Sequence, residues 1–365
     1  MRHHVDHRHD RVLELVRARG SIRVTELASE LGVSPVTLRR DVEALAAQGK
    51  VQRMHGAVVW PGETAARAEE PETGGVVIGM IVPTTSYIFG DVVLGARKAV
   101  EAQGGRLVLG VSGYVDSEDP VQAEHLLASG AEGLLVAPSW FGGVPSDGQE
   151  EWLFACGAPT VLVERTAPAV NPAATLDRVR TDRAHGAALA VNHLASLGHR
   201  SVAAVLQEGP HATGITDGYL TSVRSLDLKT VPGSPFARGS GTEYDEVTEY
   251  LVEAVRRHGV TAALVHSDED AIVLVPRLQA RGISVPEDLA LVAYEDEVAA
   301  LADVPLTAIA PPKQAVGELA AKLLLERLAE RSSGSEPGPG QHLDLLPQLR
   351  IRASCGGDRG ASSAG

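Results

Sequence analysis

Apolar positions recur at helical spacing through the first 46 residues. Val12, Leu13, Leu15 and Val16 share one face of a helix predicted over 10–19, which Gly20 ends. Thr25 begins a short second helix with Leu27, Ala28 and Leu31 on one face. Gly32 ends it, because glycine takes the left-handed conformation that a tight helix-to-helix turn needs. Ser34 then caps a third helix, with Pro35 at its first helical position, where a missing N–H costs nothing. Leu38, Val42 and Leu45 form its inward stripe; Val36, Arg40 and Glu43 lie opposite, with Thr37 and Arg39 on the flanks. Residues 50–53 and 57–60 read as two short strands around His55 and Gly56, a β-wing.

Residues 61–75, PGETAARAEEPETGG, hold no strong apolar cluster and read as a linker. From Val76 the texture becomes apolar strands alternating with helices. VVIGMIVP, RLVLGVS, AEGLLVAPS and APTVLVE are the first strands, with helices over 91–102, 120–129 and 149–156 between them. A second round begins at Asp182, with the strands RSVAAVLQE, AALVHSD and DLALVAYED and helices near 183–199, 214–225, 243–257 and 270–281. Such alternation predicts an α/β domain of doubly wound parallel sheets, and two rounds predict two lobes around a cleft.

At 365 residues the chain has room for two or three domains, and its hydrophobic fraction of 44% is that of a globular protein. No run approaches the roughly 18–20 apolar residues of a membrane helix, and MRHHVDHRHD is no signal peptide, so a cytoplasmic location and no membrane partner are expected. The four early histidines lack the Cys or carboxylate set that would complete a metal site, and no cofactor is expected. Cys156 and Cys355 make no disulfide framework; Cys156 is read as a core residue and 355–365 as a disordered tail.

The net charge of −14 is unevenly spread. Residues 1–60 hold ten Lys/Arg and seven Asp/Glu, a net of +3, against 23 basic and 40 acidic side chains in the remaining 305, a net of −17. A basic module on an acidic body suits a chain that docks on DNA at one end. Residues 34–40 would meet the groove, with hydroxyls and guanidiniums divided between phosphates and base edges. The predicted DNA-facing set is Thr25, Ser34, Pro35, Val36, Thr37, Arg39 and Arg40, with Arg53 and His55 near the wing tip. Elsewhere there is no Gly-x-Gly-x-x-Gly, no P-loop and no Gly-x-Ser-x-Gly, which argues against dinucleotide, NTPase and serine-hydrolase chemistry. The remaining sites are loops at the carboxyl ends of the strands.

ELASELGVSPVTLRRDVEALAAQGKVQRMHGAVV resembles the winged helix-turn-helix of the DeoR family of bacterial transcription regulators, over roughly residues 9–60. Residues 76–354 resemble the effector-binding domain of the LacI/GalR family, which shares its fold with periplasmic sugar-binding proteins. VVIGMIVPTTSYIFGDVVLGARKAVEAQG, RTDRAHGAALAVNHLASLGHRSVAAV, RGISVPEDLALVAYEDE and PLTAIAPPKQAVGELAAKLLLERL carry that likeness. In that fold the chain crosses between lobes three times, here expected near 165, 295 and 324.

The second resemblance implies a cleft lined by Phe89, Ser139, Glu164, Arg165, Asp182, Asp268 and Glu295, with His211 standing where the family often has an arginine. Trp140 is read as an aromatic platform for a sugar, or as a cap on the lobe edge. Asp182 and Asp268 stand equally as helix caps, and Glu164 with Arg165 as an internal ion pair. Glu164 and Glu295 replace the family's usual Asp, and Pro311 its common Gln, which points away from a common hexose. The implied protein is no enzyme. It is a dimeric, ligand-responsive regulator that binds operator DNA as a repressor and is controlled by a small effector, expected to be a sugar. The alternative is a sugar-binding or sugar-converting α/β protein with an interaction module at its N-terminus.

Overall fold

The computed structural model describes residues 75–357 apart from 240 and 337, together with 9, 11–13, 15–16, 21–23, 27, 42, 45, 50, 52–54 and 57–59 near the N-terminus. The chain divides into two compact units, Met1–Gly74 and Gly75–Gly365. In the first, β1 (Ser21–Arg23), β2 (Gln52–Met54) and β3 (Ala57–Val59) form an antiparallel sheet in the order β1-β3-β2. Met54 pairs with Ala57, so β2 and β3 are the two arms of the wing. The first arm starts at Gln52, since Lys50 lies in an exposed bend. β1 is absent from the sequence expectation because three residues are too few to display a period. Val12, Val16, Leu27, Val42 and Leu45 are helical and buried, as the apolar faces require.

The second unit consists of two α/β lobes. Lobe 1 holds β4 (Val77–Val82), β5 (Arg106–Val111), β6 (Gly133–Val136), β7 (Thr160–Val163), β8 (Asp177–Thr181) and β14 (His342–Leu345), in the order β14-β8-β7-β6-β4-β5. Its helices are α1 (Ile88–Glu101), α2 (Glu118–Ala128), α3 (Glu151–Ala155) and the long α8 (Lys313–Ser333). Lobe 2 holds β9 (Ala203–Gln207), β10 (Phe236–Arg238), β11 (Ala262–His266), β12 (Ala290–Tyr294), β13 (Thr307–Ala310) and β15 (Gln348–Arg350), ordered β10-β9-β11-β12-β13-β15. Its helices are α4 (Arg183–Ser196), α5 (Ala212–Ser225), α6 (Tyr244–His258) and α7 (Asp268–Ala280). Every pairing in the two sheets is parallel except β13 with β15.

Central strands such as VIGMIV and AALVH are apolar throughout because helices cover both faces of each sheet. In lobe 2, α6 and α7 pack Leu251, Leu274 and Leu278 on one face, and α4 and α5 pack Leu194, Ile215 and Tyr219 on the other. In lobe 1, α1 and α8 meet backbone to backbone. A Cβ on Gly95 would overlap the Gln314 carbonyl, and one on Gly317 the Val92 carbonyl.

The crossings between lobes lie elsewhere than expected. After β7 the chain stays in lobe 1 to form β8 and crosses at Asp182; it returns through Pro311 and Pro312 after β13, and crosses last at Leu346 and Pro347. The sequence hides these positions for a reason. DRVRT in β8 alternates buried and half-buried residues instead of running apolar, and TAIA in β13 is only four residues long. Pro347 divides LLPQLRIR between β14 and β15, which belong to different lobes. Cys355, assigned to a disordered tail, is buried in the core of lobe 2 against Thr307 and His193. Cys156 is half-buried at the edge of the lobe 1 core. Among the described residues no helix is long and apolar enough to cross a membrane, and no His/Cys/Asp/Glu cluster is arranged to hold a metal.

Candidate ligand cleft

The carboxyl ends of both sheets face one cleft, as open α/β sheets dispose their loops. Two cavities occupy it. The first, about 440 Å³, takes Tyr87, Tyr114 and Phe141 from the loops of lobe 1, and Gln207, His266 and Glu295 from the strand ends of lobe 2. The second, about 310 Å³, lies against the first crossing and is lined by Glu164, Arg165, Arg180, Asp182, Arg183 and Asp217 among others. Pro210 and His211 line both. The first volume falls within the roughly 300–1,000 Å³ usual for small-molecule sites.

Between the cavities and the crossings lies a buried ionic cluster. Glu295 pairs with Arg183, stands 3.6 Å from His266 Nε2, and lies 3.5 Å from Lys313 Nζ. Lys313 also donates to the Glu295 carbonyl at 2.5 Å and pairs with Glu297. Glu164 accepts from Thr181 Oγ1 at 2.6 Å and from Arg183 Nη2 at 3.5 Å. Burial opposes charge on Glu295, but Arg183, His266 and Lys313 outweigh it and hold the carboxyl well below its ordinary range. Burial likewise opposes charge on Arg183, and Glu295 and Glu164 more than offset it. Arg183 and Glu295 come from lobe 2, Glu164 and Lys313 from elements of lobe 1, so the cluster ties the lobes together at their hinges.

Backbone strain gathers at the same place. Tyr87, Tyr114, Glu164, Glu295 and Asp296 all have positive φ, between 54° and 99°. Each costs about 1–3 kcal/mol for a residue other than glycine, and such residues concentrate at ligand clamps and switches.

The predicted ligand residues divide into three groups. Ser139, His211 and Glu295 line the first cavity, and Glu164, Arg165, Asp182 and His211 the second. Phe89, Trp140 and Asp268 line neither. Phe89 is wholly buried on the inner face of α1, under Arg165. Trp140 is 1% exposed, packs in the lobe 1 core, and borders a separate hollow of about 230 Å³. The aromatic walls are instead Tyr87, Tyr114 and Phe141, the last 73% exposed. Asp268 is wholly buried and accepts from Tyr87 Oη, Val298 N and Ala299 N.

Asp182 is a helix cap as well as a cavity residue, accepting from the His185 N–H at 2.9 Å. For α7 the cap is Ser267 and not Asp268. Arg165 does not pair with the Glu164 carboxylate. It donates to the Pro138 and Glu164 carbonyls, its Nη2 finds no partner among the described residues, and burial lowers its pKa to about 10. Ser139 shares hydrogen bonds with Asp119 and Ser112. His211 is the N-cap residue of α5; burial above all, then the Arg183 and Arg165 charges, push the pKa of its imidazole well below the ordinary value.

Of the DNA-facing set, Thr25, Ser34, Pro35, Val36, Thr37, Arg39, Arg40 and His55 lie outside the described residues, and Arg53 is in β2 opposite Val58.

Two family descriptions match the chain: a DeoR-like helix-turn-helix domain over residues 8–64 and a periplasmic binding protein-like domain over 191–355. The DNA-binding head and the two-lobed body define a DNA-binding transcription regulator. The chain is 26% identical over 316 residues to the arabinose metabolism transcriptional repressor of Geobacillus stearothermophilus, covering 84% of each chain. It is 27% identical over 359 residues to the HTH-type transcriptional regulator MalR of Streptomyces coelicolor, covering 93% of this chain and 98% of that one. Among solved structures, the transcriptional regulator CelR in complex with cellobiose shares the fold. Its TM-score is 0.63 at 23% identity, over 88% of this chain and 91% of that one.

Proposed function

We propose that this regulator is a repressor, a DeoR-type head fused to a LacI-type sensor, and that a sugar bound between the lobes releases it from operator DNA. The observation that carries the reading is the composition of the larger cavity. Lobe 1 supplies aromatic side chains, Tyr87, Tyr114 and Phe141, beside the polar Thr84, Ser86, Asp116 and Ser139, and lobe 2 adds the hydrogen-bonding groups of Gln207, His266 and Glu295. A polyhydroxylated ring has both an apolar face and a hydrogen-bonding edge, and a cleft lined from both lobes offers it aromatic and polar partners on two sides. The names of the relatives point the same way: one represses arabinose metabolism and one holds cellobiose.

Binding across the cleft favours the closed arrangement of the lobes by its differential affinity for that state. In a homodimer, closure changes the spacing of the two recognition helices through residues 61–75. A coupling of ~1–3 kcal/mol alters operator affinity ~5–150-fold. The relatives are regulators, and the site residues take binding roles and not catalytic ones. The cytoplasm, where operator DNA lies, is the expected location.

The test is fluorescence anisotropy of the full chain on its own upstream DNA, with salt titrated and a panel of mono- and disaccharides added. Saturable, salt-sensitive binding that one sugar weakens is expected. Binding that no sugar shifts removes the sugar from this reading, and no binding at any salt removes the operator.

A further inference from the structure

We infer that lobe 1 carries a second site, outside the cleft, for a small organic ammonium ion. The site is the hollow of about 230 Å³ that Trp140 borders. Asp116 and Asp119 reach it from the turn after β5 and the first turn of α2. Trp140, Gln149 and Trp152 reach it from the loop after β6 and from α3. No residue of lobe 2 lines it, so the site stands apart from the sugar reading. Trp140, expected as a sugar platform or a lobe-edge cap, lines this hollow and neither cavity of the cleft.

One half of the chemistry is aromatic. Two of the three tryptophans of the chain line the hollow. Trp140 belongs to the lobe 1 core and Trp152, half-buried, packs against the same core, so both indoles are held in place. Indole is the side-chain ring that attracts a cation most strongly, and groups of such rings recognise quaternary ammonium ions.

The other half is negative charge without a counter-ion. Asp119 is 1% exposed and accepts from Ser139 N at 2.7 Å and Ser139 Oγ at 3.1 Å. Asp116 accepts from Gln149 Nε2 at 2.5 Å. Glu150, next to Gln149, is buried, and its Oε2 has no hydrogen-bond partner. Among the described residues no Lys, Arg or His forms an ion pair with any of these three acids. The buried Glu164, Asp177, Asp270 and Glu295, by contrast, each pair with an arginine. Burial raises the pKa of Asp119 against the hydrogen bonds from Ser139 and Ser112, and the Asp116 charge adds to the rise. A cation in the hollow offsets both effects. A metal ion uses only half of this lining, since indole has no acceptor to offer one, whereas an ammonium ion uses the rings and the carboxylates together.

The hollow adjoins the larger cavity: Asp116 lines both, and Ser139, held by Asp119, lines the larger. The experiment therefore includes variants that separate the two. It is isothermal titration of the full chain with the chlorides of methylammonium, ethanolamine, tetramethylammonium and choline at constant ionic strength. Potassium chloride and the uncharged analogue of choline, in which a quaternary carbon replaces the nitrogen, are the controls. At least one ammonium ion is expected to bind while both controls stay silent. Trp152→Ala then weakens it about tenfold through loss of the cation–π contact. Asp116→Asn, an exposed position, weakens it about as much, and Phe141→Ala, which lines only the larger cavity, leaves it unchanged. Where Trp152→Ala does not fold, the contrast between Asp116→Asn and Phe141→Ala decides. Silence from all four ammonium ions, equal binding of the uncharged analogue, or binding lost with Phe141→Ala and kept with Asp116→Asn overturns the proposal.

Discussion

The phenolic hydroxyl of Tyr87 in lobe 1 donates to Asp268 Oδ1 in lobe 2 at 2.9 Å, across the cleft. Burial above all, and then the Glu295 and Asp268 carboxylates, push this phenol far above its ordinary range, so it remains a donor at any working pH. The other oxygen of Asp268 takes the Val298 and Ala299 N–H groups at 2.7 and 3.0 Å, which fixes the acceptor. Tyr87→Phe removes one hydrogen bond to a carboxylate while keeping the ring. Such a bond contributes about 1.5–3 kcal/mol, here to the joined arrangement of the lobes. We expect the ligand-free variant to be more extended in small-angle scattering and its effector affinity to fall about tenfold or more. An unchanged scattering curve together with an unchanged Kd would show that this bond does not hold the lobes.

Glu295 makes the acid sensitivity of the body predictable. Its carboxyl is held well below its ordinary value of 4.5 by Arg183, His266 and Lys313, against the opposing effect of burial. A carboxyl depressed in the folded state stabilises fully above its unfolded pKa, and the contribution is lost as pH falls toward the folded value. The stability that Glu295 adds is therefore complete above about pH 5 and declines below it. Glu295→Gln is expected to lower the melting temperature at pH 7, with the gap to the wild type narrowing steadily from pH 5 to pH 3. Glu295→Ala, which leaves Arg183 and Lys313 buried without their partner, should cost about 3–5 kcal/mol. A gap that stays constant with pH would sink this account.

Neighbouring residues show how far the cleft was legible beforehand. Apolar runs identify the central strands, and the loops after them identify the cleft, because a run buried on both faces has few alternatives. Which side chain of a loop faces the ligand is another matter. Trp140 and Phe141 are adjacent after β6, yet one is 1% exposed and the other 73%. Phe89 and Tyr87 flank the start of α1, and the positive φ of Tyr87 decides which ring reaches the cavity. Neither outcome has a period to reveal it, since strand alternation ends where the loop begins. His211, by contrast, which the resemblance sets in place of the family's arginine, lines both cavities. The hinge cluster has no signature in the sequence because Lys313 and Arg183 are distant along the chain from the acids they meet.

The contact between α1 and α8 sets a prediction on stability. Gly95 and Gly317 allow these helices to approach at the Gln314 and Val92 carbonyls, and any Cβ there overlaps main-chain atoms that cannot rotate away. Alanine gains about 1 kcal/mol of helix propensity over glycine. Overpacking a close contact costs about 1–3 kcal/mol even where side chains can yield. Against backbone the clash prevails, so Gly317→Ala is expected to lower the denaturation midpoint of the body followed by circular dichroism. Gly259→Ala, in open space but with a φ of +63°, serves as the comparison, since there the loss comes from backbone strain alone. Equal or higher stability of Gly317→Ala would mean that the two helices can separate without penalty.

Arg39 and Arg40 carry the prediction for DNA. They sit in the helix predicted after the turn at Gly32, within a head whose net charge of +3 contrasts with −17 in the rest of the chain. If both contact phosphates, replacing them with Ala removes two released counterions, and the slope of log affinity against log salt should fall by about 1.8 for duplex DNA. If either reads a base edge, its loss instead relaxes discrimination by about 1–3 kcal/mol at one position of the operator and leaves the slope nearer its original value. Anisotropy titrations at several salt concentrations, on operator and on scrambled DNA, separate these roles. In both cases effector binding by calorimetry should be unchanged, because the cleft lies wholly within the second unit. A double variant that binds operator as tightly as the wild type would remove this helix from the groove, and with it the assignment of Ser34 to Arg40 as the reading surface.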